Sequence, residues 1–169
     1  MLRMYFLRQI ILDTKVNPKK IPKNPENMVC SETPERSSET EADGVLWITD
    51  QGPRAQELFR QGCPVLAWLH AHNRDQDFSG VRYACENLEE LDWDYMEKVY
   101  RRYMGIPWDI LTTDRCLVRE TRAEDLDALY EIYAEPSVTQ YTEGLYPQRA
   151  QEEAYLKDYT ENMYYFYNY

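Results

Sequence analysis

Three absences in this 169-residue chain each remove a class of function. No apolar run approaches the roughly 20 residues that a helix needs to cross a bilayer, so a membrane partner is not expected. No CxxC spacing occurs among Cys30, Cys63, Cys85 and Cys116, which indicates neither a zinc site nor a disulfide framework. Their neighbours are apolar or strand-like, and the reading is of reduced, mostly buried thiols in a cytoplasmic protein. Basic clusters are scarce as well. Lys and Arg number 19 against 30 Asp and Glu, a net charge of −11, which argues against nucleic acid or an anionic membrane face. A cationic ligand such as an amine is compatible with that charge. The opening "MLRMYFLRQIIL" starts like a signal peptide, but Arg8 and Gln9 break its apolar run and no small-residue cleavage site follows.

What is present falls into three regions. Residues 13 to 43 are short of large apolar side chains and carry Pro18, Pro22, Pro25 and Pro34, a composition that cannot bury enough surface to offset chain entropy. Residues 1–43 are therefore expected to form a flexible leader and linker, with a short helix at the very start. Its charges cancel, seven basic against seven acidic.

From Gly44 the pattern changes. "VLWIT" (45–49), "PVLAWLH" (64–70) and "VRYAC" (81–85) read as buried strands. Between the first two, Ala55, Leu58 and Phe59 share a helical face, with Pro53 in the first turn and Gly62 at the C-terminal cap. "DWDYMEKVYRRYMG" (92–105) is a second helix, with Asp92 as N-cap, Tyr95, Val99 and Tyr103 on one face, and Gly105 at its end. Residues 44–112 are thus expected to be a small Rossmann-like α/β domain with three parallel strands. Ligands bind such units at the C-terminal ends of the strands, here Asp50, Gln51 and Gly52 after the first, and His70, His72 and Asn73 after the second. A phosphate nest at Gly52, or a metal at His70 and His72, is the sharp reading. Helix capping and loop closure is the plainer and favoured one, and with no third ligand in sight no metal is expected. Through "ITDQG" and "GIPWDILTT" the unit resembles the core of haloacid-dehalogenase-type phosphatases. That resemblance implies Asp50 as nucleophile. It also implies a second aspartate two residues on, where this chain has Gly52, so at most a degenerate phosphohydrolase is implied.

The third region opens with "CLVRE" (116–120), which alternates like a half-buried strand, Leu117 on one face and Cys116 and Val118 on the other. "TRAE" (121–124) has the form of a capping box, Thr121 paired with Glu124. Leu126, Leu129, Tyr130 and Tyr133 then make one apolar stripe, and Pro136 stops the helix. After "SVTQYTEGLYP" (137–147), a loop or short helical turn, Pro147 opens a second helix in which Tyr155, Tyr159 and Met163 repeat every four residues. Periodicity alone yields a strand and two amphipathic helices that need a sheet to cover them.

The order and spacing of these pieces, and "VRETRAEDLDALYEIY" above all, resemble the opening of the GNAT family of N-acetyltransferases over about residues 115 to 169. The resemblance implies an α+β fold that continues into an antiparallel sheet. It also implies acetyl-CoA as cofactor, held by the backbone amides of a Gly-rich turn, and a primary amine as acceptor. The six glycines of this chain lie nowhere within seven residues of one another, so that turn is missing and this chain alone is expected to bind no acetyl-CoA. What the resemblance leaves is the acceptor side, with Tyr141, Thr142 and Glu143 as candidate substrate contacts, although an ordinary polar turn reads equally from those residues and is favoured. The chain ends on "YYFYNY", five aromatic rings in six positions, read as the end of the second helix leading into a strand of the missing sheet, and expected to be poorly ordered or adhesive. The expectation is the N-terminal part of an N-acetyltransferase behind a small α/β domain. An interaction module that self-associates through the aromatic tail is the alternative.

Overall fold

Short runs of strand formers build a parallel sheet in the first part of the chain. The computed structural model describes residues 6–14, 30–31 and 44–163. These divide between two units, Met1–Met104 and Gly105–Tyr169. In the first, strands β1 (Gln9–Asp13), β2 (Cys30–Ser31), β3 (Val45–Thr49), β4 (Val65–Trp68) and β5 (Tyr83–Cys85) lie in the order β2-β1-β3-β4-β5, every neighbouring pair parallel. Helix α1 (Gly52–Arg60) carries the chain from β3 to β4, and α2 (Trp93–Met104) follows β5. Ile10 and Leu12 of β1 are level with Leu46 and Ile48 of β3, and all four are buried with Val65, Leu66 and Ala67 of β4. Parallel strands covered on their faces read as nearly continuous apolar runs, which is why β3 and β4 were visible in sequence.

Strands β1 and β2 were not visible, and the expected leader is corrected at both, while its residues 15–29 and 32–43 lie outside the described residues. Residues 9–13 lie inside the sheet, between β2 and β3. "QIILD" does have the two-residue alternation of a strand, with Ile10 and Leu12 turned inward. It was masked by the polar, proline-rich stretch that separates it from β3. Its approach is fixed by α2. The buried Glu97 carboxylate accepts from the backbone N–H of Phe6 (2.9 Å) and Leu7 (2.7 Å) and from Arg101 Nε (2.8 Å). Gly44, with φ of +84°, donates to the Tyr100 hydroxyl (2.8 Å) and accepts from the N–H groups of Arg8 and Gln9. A side chain at 44 would be strained by that φ and would meet the Arg8 stem at 2.9 Å. The short helix expected at the very start and the tail 164–169 lie outside the described residues.

The helices follow their local signals. Asp92 caps α2 by accepting from Tyr95 N–H (2.7 Å). Ala55 and Leu58 of α1 pack with Val65 against Trp47, Phe59, Phe78 and Tyr103. Three of the cysteines are less buried than expected. Cys63 and Cys85 are half-buried and Cys116 is exposed. Burial still pushes the Cys63 thiol up, and that of Cys85 up to about 12.

The boundary between units also moves. Strand β6 (Asp109–Thr112), read as the end of the α/β domain, pairs antiparallel with β7 (Leu117–Arg119) and belongs to the second unit. β7 is not half-buried. In an isolated two-stranded hairpin neither face is covered, and Leu117 and Val118 are 50% and 43% exposed. Helices α3 (Leu126–Ala134), α4 (Pro136–Thr139) and α5 (Arg149–Asp158) follow, with a wide turn at Tyr159–Met163. The cap of the first of these helices sits one residue later than "TRAE" implied. Asp125 accepts from Arg122 N–H (2.8 Å) and from both terminal nitrogens of the Arg119 guanidinium (2.7 and 2.6 Å). The Arg119 pair, against a burial effect that opposes it, holds the Asp125 carboxyl below its ordinary range, and the Arg122 amide adds to the effect. Tyr130 donates to the Tyr146 carbonyl (2.7 Å), Tyr146 N–H to Glu152 (2.8 Å), and Arg149 pairs with Asp127 and Glu153. On α5 the buried side chain is Glu152, whereas Tyr155 is 45% exposed. Of the apolar stripe foreseen for this helix, Tyr155 is exposed and Leu156 and Tyr159 are half-buried.

Candidate functional site

A parallel sheet opens a crevice where the chain leaves adjacent strands in opposite directions, outside their carboxyl ends. The order β2-β1-β3 places that point between β1 and β3. β1 ends on Asp13, and β3 delivers Thr49, Asp50 and Gln51. Arg54, in the first turn of α1, reaches back so that its Nε stands 3.2 Å from Asp13 Oδ2, while Gln51 Nε2 lies 3.3 Å from Asp13 Oδ1. The same guanidinium donates to Glu57 (2.8 Å) and lies 5.3 Å above the Trp47 ring. Partial burial opposes the charge on Arg54, but its hydrogen bonds to Glu57 and Asp13 outweigh that and raise its pKa.

A second layer lies behind. The Asp50 side chain is 3% exposed, and its Oδ2 is 3.4 Å from His70 Nε2. His72 N–H donates to His70 Nδ1 (3.2 Å), and Nε2 of the same ring faces Asp50. Asn73 holds this arrangement in place. Its amide donates to the carbonyls of Asp50 (2.9 Å) and Trp68 (2.8 Å), and its oxygen accepts from His70 N–H (2.8 Å). Gln76 Oε1 accepts from Gly52 N–H (2.7 Å), and a Cβ at position 52 would lie 2.4 Å from the Asp77 carbonyl. Gly52 is required by that close approach of the loop. The loop after β4 and the end of β5 flank an open cleft of about 690 Å³.

These contacts decide several sequence readings. The Gly52 amide, read as part of a phosphate nest, is already satisfied by Gln76. Asp50 is turned inward, so a nucleophile's role fails there on access; Asp13, whose side chain is 20% exposed, is the more accessible carboxylate at the switch point. Both ring nitrogens of His70 are engaged, and no cluster of three or more His, Cys, Asp or Glu that could hold a metal occurs among the described residues. Of the plainer reading, loop closure by His70 and Asn73 describes the geometry, whereas the helix cap does not form, since Gln51 precedes α1 without a side-chain cap and the Asp50 carboxylate faces His70. In the second unit, Tyr141, Thr142 and Glu143 sit on the loop between α4 and α5. Tyr141 is 85% exposed, Thr142 donates to the Val138 carbonyl (3.0 Å) and Glu143 is exposed. The three share no hydrogen bond with one another.

Sequence reasoning missed Asp13 and Arg54. The signal was there, since "QIILD" and "VLWITD" both end an apolar run on an aspartate, but the first lay in the region assigned to the leader. No family model, no curated protein and no solved structure matches the chain.

Proposed function

We propose that residues 115–169 are the opening of a GNAT-type N-acetyltransferase domain, which in its complete form moves an acetyl group from acetyl-CoA to a primary amine. The observation that supports this reading is the run of strand β7, capped helix α3, short α4, loop and α5, with apolar side chains left uncovered on each longer element. Leu117, Val118, Ile132 and Tyr155 are 43–52% exposed. Side chains of this kind, spaced at strand and helix periods, suit burial under further strands. In this reading Tyr141, Thr142 and Glu143 meet the acceptor amine, with the Glu143 carboxylate as the group attracted to its charge. Acetyl-CoA needs clustered backbone amides for its pyrophosphate, and the widely spaced glycines of this chain do not supply them.

The DNA downstream of codon 169 supplies the test. An in-frame continuation that encodes strands and a Gly-rich turn, and whose product acetylates an amine, is expected. A product that transfers no acetyl group to any of a panel of primary amines overturns the reading. The present chain is expected to give no heat on calorimetric titration with acetyl-CoA, and micromolar binding contradicts that.

A second reading is favoured by the same exposed side chains. Two copies of the chain could cover one another's β6–β7 hairpins, making this an interaction module. Light scattering after size exclusion separates the two, since a monomer at high concentration removes the second reading.

A further inference from the structure

The cleft beside β4 and β5 has a composition that the acyl-transfer reading does not use. Its apolar wall is Leu69, Ala71 and Phe78. Arg74 comes from the loop after β4, and Glu86 follows directly on β5. Both are exposed, and neither side chain has a hydrogen-bond or ion-pair partner among the described residues, including each other. Two opposite charges line one cleft without neutralising one another. Gln76 adds a directed donor. Its Oε1 is committed to Gly52 N–H, which fixes the carboxamide and leaves the NH₂ end as the group to be satisfied. The framework beneath is rigid, since Asn73 is 2% exposed and bonded to three backbone groups.

We propose that this cleft binds a small zwitterion of the α-amino-acid type. Arg74 and the Gln76 amide take the carboxylate, Glu86 takes the ammonium, and the apolar side chain rests on Leu69 and Phe78. A fork-shaped guanidinium matches a carboxylate in geometry as well as charge. A volume of about 690 Å³ is within the range of small-molecule sites and accommodates an aromatic amino acid. A simple anion or a simple amine uses only one end of such a site, so both ends together give the selectivity. This site belongs to the first unit alone and does not depend on acetyl transfer in the second.

The probe is L-phenylalanine, titrated into the full chain and followed by amide NMR. Saturable shifts confined to residues 69–78 and 86 are expected. N-acetyl-phenylalanine and phenylalaninamide, each lacking one charge, are expected to bind at least about tenfold more weakly, as are the surface variants Arg74→Gln and Glu86→Gln toward phenylalanine itself. Circular dichroism of both variants is expected to match the parent, because neither side chain supports the fold. No saturable shift up to millimolar phenylalanine overturns the proposal. So does equal binding of the blocked derivatives, or undiminished binding by both variants.

Discussion

The two units of this chain spend their apolar residues in opposite ways. Among the described residues, fifteen of the seventeen buried hydrophobic side chains belong to the first unit, and only Trp108 and Leu126 to the second. Of the nine large hydrophobics that stand exposed, two are in the first unit and seven in the second. The ion pairs follow the same division, although the second unit also buries the carboxylates of Glu120 and Glu152. The Glu97–Arg101 pair of the first unit is sealed, at 0% and 2% side-chain exposure, whereas Arg119–Asp125 and Arg122–Asp109 of the second are about a quarter to two-fifths open. A sheet with helices on it buries its own strands. A lone hairpin and three helices tied by surface ion pairs do not, and surface pairs contribute little each. Among the described residues, the second unit leaves most of its large apolar side chains exposed and the first unit buries them.

This contrast can be broken most forcefully at Glu97. Replacing it with Gln removes the carboxylate that pairs with buried Arg101 and weakens the anchors for Phe6 and Leu7. A loss of roughly 3–5 kcal/mol in urea unfolding is expected, with β1, β3 and β4 melting together. Next in size is Leu58→Ala in the first unit, expected to cost about 2–5 kcal/mol, against a smaller cost for Leu126→Ala in the second, whose sparse surroundings collapse more easily. If the two substitutions cost the same, the second unit has a core as tight as the first.

Asp125→Asn tests the electrostatics of the second unit, with an expected loss of roughly 1 kcal/mol from the cap and its arginine partner. The sign with pH is fixed by a carboxyl held below its ordinary value of 3.8. Its stabilisation is fully present above the unfolded value and is lost as pH falls through the lower, folded one. The variant should therefore match the parent at strongly acidic pH and fall behind it above about pH 4. A constant gap across that range would deny the linkage. The smallest effect concerns the thiols. Iodoacetamide at pH 8 is expected to modify exposed Cys116 readily and to reach Cys85, held at about 12, only after unfolding. Equal labelling in the native state would mean that β5 opens freely.

How much was legible in the sequence followed local signal strength. β3, α1, β4, β5 and α2 each carried an apolar period with a cap or breaker at the end, and each formed close to where it was read. β1 was missed because parallel pairing is non-local, and nothing near Gln9 states that its partner begins at Val45. With β1 went Asp13 and Arg54, since the crevice exists only once the strand order is known. β6 was assigned to the wrong unit for a related reason, as "WDILT" fits either sheet and only its pairing with Leu117–Arg119 decides. Asp50 and Gly52 were placed correctly at the end of β3. What sequence could not give was the loop folded over them, through Asn73, Gln76 and the Asp77 carbonyl.

Hydrogen exchange on the whole chain tests the contrast most directly. Amides of β1, β3 and β4 are expected to exchange only through global unfolding of the first unit, while those of β6, β7, α3 and α5 exchange at least about a hundredfold faster by local opening. Equal protection across both units would contradict the account, because it would mean that the second unit is already complete in its packing.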